Sequence, residues 1–351
     1  MTFEWINDPL ATLNDNAKKR GIERQGQLTK PPGSLGGLEA MAVRLCAMQG
    51  VDKPCVDNAQ VVVFAGDHGI AAEGVSAFPQ VVTGEMVKNF SRGGAAICAL
   101  ARQNNAQFEV VNLGTVVDLS AMENVLDNTI MPGTLNFAQQ PAMSLEQLSQ
   151  ALTAGMVAVH RAAAHKATVF IGGDMGIANT SSATALAAWA TGQSVTRLVG
   201  PGTGLDVQGV GHKGRVIEAA LAKHGAAMTT PLEALRHVGG LEIAALVGAY
   251  IRAGQLGIAI LVDGFITTSA AILAAKIQPQ ITQWMFFAHA SAEPGHQTMM
   301  AALGADPILD LGMRLGEGSG AGVALSILKS ACATHNEMAT FAEASVSEKT
   351  A

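Results

Sequence analysis

Apolar residues along this chain follow two rhythms. Short, nearly unbroken apolar runs lie at 60–65, 109–113, 167–171, 257–262 and 284–287. Runs of this length without polar alternation predict strands buried on both faces, paired in parallel and covered by helices. Between them, apolar residues recur at helical spacing over 86–103, 145–163, 182–191, 217–224, 232–252 and 269–275. Strand alternating with helix predicts an α/β fold with a parallel sheet. The predicted strands run into Gly66-Asp67-His68-Gly69, Gly114, Gly172-Gly173-Asp174-Met175-Gly176, Asp263-Gly264-Phe265 and Ala288-His289-Ala290-Ser291. Ligands of open parallel sheets bind beyond the carboxyl ends of the strands. A site is therefore expected among these turns.

The two ends of the chain read differently. Helical spacing returns over 11–24 and 38–48, separated by Thr29-Lys30-Pro31-Pro32-Gly33-Ser34-Leu35-Gly36, which cannot continue a helix. Residues 301–344 are again mainly helical in pattern and are expected to fold back on the N-terminal region. This divides the chain into 1–58, the N-terminal part of a small helical lobe; 59–300, a large α/β domain; and 301–351, which completes the lobe. The tail 345–351 is expected to fray.

Composition narrows the partners. Of 351 residues 49% are hydrophobic and only 14% charged, less than a fully solvated surface carries, so part of the surface is expected to be hidden in an oligomer. A formal net charge of -6, 4% aromatics and no Lys/Arg stripe argue against nucleic acid. Cys46, Cys55, Cys98 and Cys332 are scattered without metal or redox spacing, as in a cytoplasmic protein. No apolar run reaches membrane-spanning length, and the first nine residues carry Glu4 and Asp8, so neither a membrane anchor nor a signal peptide is expected. Asn89-Phe90-Ser91 and Asn179-Thr180-Ser181 match the glycosylation pattern by coincidence.

Candidate chemistry is concentrated in a few segments. Leu315-Gly316-Glu317-Gly318-Ser319-Gly320-Ala321 sets one carboxylate among small residues. It is either a proton acceptor with a raised pKa or the start of a C-terminal helix. Asp67 and His68 are acid/base, orienting or metal-binding groups, or a structural contact. The turn 172–180 offers Asp174 as a second carboxylate, and backbone donors for an anion, with Asn179, Thr180, Ser181 and Ser182 as hydrogen-bond donors or helix caps. Gly200-Pro201-Gly202-Thr203-Gly204-Leu205-Asp206 precedes the basic residues His212, Lys213 and Arg215, one of which is suited to a phosphate. His289, Glu293 and His296 lack the spacing of a helical zinc site, since Pro294-Gly295 interrupts it, and Ser291 fits a phosphate better. Asp306, Asp310 and Arg314 are helically spaced and expected to pair on the surface.

In this order the segments resemble the nicotinate-nucleotide–dimethylbenzimidazole phosphoribosyltransferases of cobalamin biosynthesis. The resemblance is carried by Lys30-Pro31-Pro32-Gly33-Ser34-Leu35-Gly36, Ala65-Gly66-Asp67-His68-Gly69, Val75-Ser76-Ala77-Phe78-Pro79-Gln80, and Asn89-Phe90 with Arg92-Gly93-Gly94-Ala95-Ala96-Ile97. It continues through Met175-Gly176-Ile177 with Asn179-Thr180, Gly202-Thr203-Gly204-Leu205-Asp206 and Asp263-Gly264-Phe265-Ile266. Ser291-Ala292-Glu293-Pro294-Gly295-His296 and Leu311-Gly312-Met313-Arg314-Leu315-Gly316-Glu317-Gly318-Ser319-Gly320 complete it. Nine segments in one order are far more specific than any one of them.

The resemblance implies a Rossmann-like parallel sheet with helices on both faces and a small helical lobe from both termini. It implies a homodimer that uses no metal or organic cofactor. The implied reaction moves the 5-phosphoribosyl group from nicotinate mononucleotide to 5,6-dimethylbenzimidazole, giving nicotinate and α-ribazole 5'-phosphate. Glu317 matches the general base, and Asp174 stands where members usually carry glutamate. Phe78, Pro79, Met175 and Leu315 match the benzimidazole pocket, and Glu85 replaces a usual glutamine beside it. Gly176, Gly202, Gly204, Lys213, Ser291, Gly318 and Gly320 match segments that hold the nucleotide, its phosphate or the leaving nicotinate. Two readings of other classes stand beside this one: a nucleotide-binding regulatory module, and a metal-assisted phosphohydrolase using Asp67, His68, His289 and His296.

Overall fold

The computed structural model describes residues 3–347, and the remainder of the expected lobe and of the frayed tail lies outside them. Seven strands form one parallel sheet: β1 (Ala59–Gly66), β2 (Gln107–Gly114), β3 (Leu126–Asp127), β4 (Val169–Met175), β5 (Ala259–Val262), β6 (Met285–His289) and β7 (Pro307–Leu309). Their order is β3-β2-β1-β4-β5-β6-β7. The chain therefore winds outward in both directions from β1 and β4, and the reversal leaves a crevice at the carboxyl ends of that pair. Every residue of β1 is buried, as its unbroken Val61-Val62-Val63-Phe64 run requires.

Two short strands escape the sequence pattern. β3 and β7 have two and three residues, too few to establish a rhythm. β7 also interrupts the C-terminal segment expected to be mainly helical. β4 continues from Val169 to Met175, into the glycine-rich stretch assigned above to a turn. Its glycines answer to close neighbours. A Cβ on Gly172 would overlap Leu246 of the helix Leu241–Gln255, and one on Gly173 would overlap the Glu317 backbone. Successive strand residues face opposite sides, so these two glycines show both faces of the sheet covered at close range.

Two expected helices are each broken in two. The 86–103 stretch is Val81–Ser91 followed by Ala96–Gln103, parted at Arg92-Gly93-Gly94. The 232–252 stretch is Pro231–Val238 followed by Leu241–Gln255, parted at Gly239-Gly240. A Cβ on Gly240 would overlap the His68 ring, so the break lets backbone pass over that imidazole. Helix 217–224 is the end of a longer one, Val207–His224, whose start Asp206 caps by accepting from Gly209 N–H.

The chain ends meet. Arg24 Nε donates to the His335 carbonyl at 2.7 Å, Gln25 Nε2 lies 2.8 Å from His335 Nδ1, and Leu28 bridges to Thr340. The helix Ser319–Glu337 also lies against β4, β5 and β6, and one continuous apolar core joins Leu45 and Met48 to the sheet residues.

Candidate active site

A cleft of about 450 Å³ opens beyond the carboxyl ends of the strands. Its floor comes from the residues after β4, β5 and β6: Asp174 to Ile177, Gly264 to Ile266, His289 and Ser291. Phe78, Val82 and Met86 form one wall, and Arg314 to Glu317 the opposite rim. Phe78 is 50% exposed and Leu315 59%, so two apolar side chains flank the entrance without a partner to cover them.

Glu317 is buried, and its Oε2 has no hydrogen-bond partner among the described residues. The backbone that presents it is unusual. Gly316, Glu317 and Gly318 have φ of 87°, 64° and 84°, three left-handed residues in succession, of which only the glycines adopt that region freely. Burial raises the Glu317 carboxyl above its ordinary range; the Ile97 N–H opposes the rise and the Asp263 charge adds to it. The helix Ser319–Glu337 begins two residues later, as the second reading of this segment expected.

Asp174 is buried at the end of β4, with Oδ2 accepting from Asn179 Nδ2 at 3.0 Å. Burial pushes its carboxyl well above the usual range, and Asp263, Glu242 and Glu317 add like charge, against the Asn179 hydrogen bond. Asp263, at the end of β5, accepts from Ala321 N–H at 2.8 Å and Gly318 N–H at 3.2 Å. Its carboxyl is also raised by burial, while His289 and these backbone donors favour its charged form.

Lys213 does not itself line the cleft but hydrogen-bonds Thr180, which does. This lysine is fully buried, donating to Thr180 Oγ1 at 2.6 Å and the Gly200 carbonyl at 3.3 Å. Burial pushes its pKa down to about 8, opposed by Glu293. Glu293 Oε1 accepts from Gly202 N–H at 3.1 Å. Gly176, Gly202, Thr203 and Ser291 line the cleft as well.

Several predicted residues lie elsewhere. Glu85 and Pro79 are exposed and do not line the cleft. Val82 and Met86 lie one turn apart on the helix Val81–Ser91 and line the cleft with Phe78, which precedes the helix; Glu85 lies off that stripe. Gly204 is exposed and outside the lining. Gly318 gives its N–H to Asp263, and a Cβ on Gly320 would overlap the His289 ring, so both pack closely against protein groups beside Glu317 and neither lines the cleft. Asp306 and Asp310 make no ion pair with Arg314, because β7 and a loop replace the expected helix; Arg314 instead lines the cleft beside Glu293.

Three of the four residues of the metal reading have hydrogen-bond partners of their own, and His289 stacks on His296 with Nε2 3.9 Å from Asp263 Oδ1. His68 is fully buried, with Nε2 2.7 Å from Glu242 Oε1 and Nδ1 3.0 Å from Ser182 Oγ. Asp67 accepts from Val116 N–H at 2.8 Å. His296 Nδ1 accepts from Ser291 N–H at 3.1 Å, leaving Nε2 to donate to Thr268 Oγ1 at 3.1 Å. Burial, with His289 nearby, pushes the His296 pKa down to about 4, so this ring is a neutral brace for Ser291. Among the described residues no three His, Cys, Asp or Glu side chains are grouped to hold a metal ion.

Sequence reasoning missed Glu242, Val82, Met86 and the cleft position of Arg314. The one-turn spacing of Val82 and Met86 was a readable signal. Glu242 offered none, because its partner His68 is 174 residues away.

Comparison with known proteins gives one answer. A family model described as phosphoribosyltransferase matches residues 10–346. Proteins named nicotinate-nucleotide–dimethylbenzimidazole phosphoribosyltransferase from Ectopseudomonas mendocina and Pseudomonas aeruginosa are each 52% identical, over 99% and 100% of both chains. A crystal structure of such an enzyme from Thermus thermophilus superposes with a TM-score of 0.91 at 43% identity, covering 96% of this chain and all of the other.

Proposed function

The chain belongs to the nicotinate-nucleotide–dimethylbenzimidazole phosphoribosyltransferase family, and we propose that Glu317 is the general base of its reaction. The enzyme transfers the 5-phosphoribosyl group of nicotinate mononucleotide to 5,6-dimethylbenzimidazole, releasing nicotinate. The observation that carries the assignment is the unpartnered Glu317 Oε2, buried in the cleft wall with its pKa raised. A carboxylate so placed accepts a proton from one ring nitrogen while the other attacks C1'.

The leaving pyridinium already carries positive charge, so departure needs no further activation. What remains is one proton to accept, a phosphate to hold and developing positive charge at the ribose to stabilise. Asp174, on the floor of the cleft, orients the substrate as a secondary carboxyl group. Lys213, through its single charge, and Gly176, Gly202 and Ser291, through backbone or hydroxyl donors, serve the phosphate. Phe78, Val82, Met86, Met175 and Leu315 offer the flat aromatic acceptor an apolar wall, where each buried Å² contributes about 25 cal/mol.

The division at 58 and 300 belongs to the same reading, supported by the hydrogen bonds between the two chain ends. So does a homodimer, supported by the low charge and by exposed Phe78, Leu311 and Leu315 beside the cleft. A cytoplasmic location is consistent with scattered free cysteines; among the described residues no helix is long and apolar enough to cross a membrane.

The deciding experiment incubates purified protein with nicotinate mononucleotide and a panel of benzimidazoles, purines and phenols. α-Ribazole 5'-phosphate is the expected product. Glu317→Ala is expected to lower kcat by about 10²–10⁴-fold with nucleotide binding retained. A variant within threefold of wild type would remove Glu317 from the role.

A further inference from the structure

We propose that Asp263 is the positioning residue that sets the Glu317 carboxylate in the cleft, a role that rests on Glu317 being the base. The helix Ser319–Glu337 begins without a cap of its own, since Gly318 at its N-cap has no side chain and a φ of 84°. Its first N–H groups need acceptors. Asp263 supplies them from another strand: Oδ2 takes Gly318 N–H at 3.2 Å and Oδ1 takes Ala321 N–H at 2.8 Å. One buried carboxylate thus ties the end of β5 to the residue after Glu317 and to the helix beyond. The left-handed run 316–318 is disfavoured for Glu317, so it persists only where the surroundings enforce it. The Asp263 bonds are placed to do so.

The charge of Asp263 acts as well as its geometry. The groups facing it are His289 from β6, with Nε2 at 3.9 Å, Asp174 from β4, Tyr250 from the helix Leu241–Gln255, and Glu317 itself. Glu317 is faced in addition by the Ile97 N–H and the Cys98 thiol. Asp263 accepts the Gly318 and Ala321 N–H groups, which favour its charged form against the cost of burial. A negative charge there disfavours a second one on Glu317. The base is thereby kept ready to take a proton, and its loss of activity in acid begins at a higher pH.

The test compares kcat–pH profiles of wild type, Glu317→Gln and Asp263→Asn. Asn keeps the size of Asp but has one acceptor oxygen and no charge. Glu317→Gln is expected to abolish the acid limb, which assigns that limb to the base. Asp263→Asn is expected to lower kcat about 10–100-fold, with KM for the aromatic base within threefold, and to move the acid limb to lower pH by about one unit. A purely structural Asp263 would change thermal stability and leave the limb where it was, which overturns the proposal. Persistence of the limb in Glu317→Gln would instead overturn the base assignment, so the two failures are distinct. The wild-type protein provides a check that needs no variant. The Gly318 and Ala321 amides are expected to be protected from hydrogen exchange, and exchange at free rates would show that the Asp263 bonds do not exist in solution.

Discussion

The backbone carbonyl of Glu317 occupies the space a side chain on Gly173 would need, and a Cβ there would stand 2.7 Å from the carbonyl carbon. A strand in the middle of the sheet and the loop of the candidate base are therefore in direct backbone contact. A larger residue at 173 has to push one of them away.

Gly173→Ala is expected to move Glu317 and cost about 1–3 kcal/mol of stability from overpacking. A displacement of about 1 Å at a reacting group costs about 10²-fold in rate. Steady-state kinetics and urea denaturation check both. Wild-type kcat in this variant would show that the close approach is not needed.

Asp174→Asn is expected to raise stability while lowering kcat. The Asp174 carboxyl is raised in the folded state relative to an unfolded value near 3.8, so the folded protein holds the extra proton. Stability from this group is then present at low pH and lost as pH rises from the unfolded value through the folded one. Removing the carboxylate is expected to recover about 0.5–2 kcal/mol at pH 8, the gain shrinking toward pH 4. Urea midpoints at the two pH values measure it; a constant or inverted difference would contradict the raised pKa.

Nucleotide binding is expected to weaken as pH rises through about 8, where Lys213 loses its charge in the unliganded protein. Lys213→Ala is expected to weaken nicotinate mononucleotide by about 10–100-fold, the value of a charge-assisted hydrogen bond. It is also expected to flatten the pH dependence and to leave the aromatic base almost unaffected. Titration calorimetry with each ligand separates these effects, and equal weakening of both ligands would exclude a phosphate role.

Glu85→Gln is expected to leave relative kcat/KM across a panel of bases within about twofold, because Glu85 is exposed and off the cleft stripe. Met86→Ala, on the stripe, is expected to raise KM for dimethylbenzimidazole about tenfold, the equivalent of losing roughly 50 Å² of apolar contact. A shift in base preference with Glu85→Gln would mean that this side chain reaches the acceptor during turnover.

The parts of the fold legible in the sequence are those set by local burial. β1, with Val61 to Phe64, and β6, with Met285 to Phe287, announce themselves because both faces are covered. The strands β3 and β7 do not, since pairing with a neighbour defines them and their composition does not. Glu317 was legible as a lone carboxylate among glycines. The uses of Gly318 and Gly320 were not, because Asp263 and His289, which decide them, come from other strands. Glycine patterns show where backbone comes close to something, without showing whether that something is ligand or protein.

The helix Ser319–Glu337 lies on β4, β5 and β6 and against the helices Gly37–Gln49 and Ala96–Gln103. It is also the last long helix among the described residues, and is synthesised after every strand of the sheet. Until it docks, part of the sheet face remains open to solvent and the Glu317 loop has no helix to anchor it. Covering of the sheet and anchoring of the Glu317 loop are thus one event, the docking of this helix. A chain in which this helix is undocked carries an uncovered apolar face and an unanchored Glu317 loop, so catalysis is expected to report on the docking of the helix.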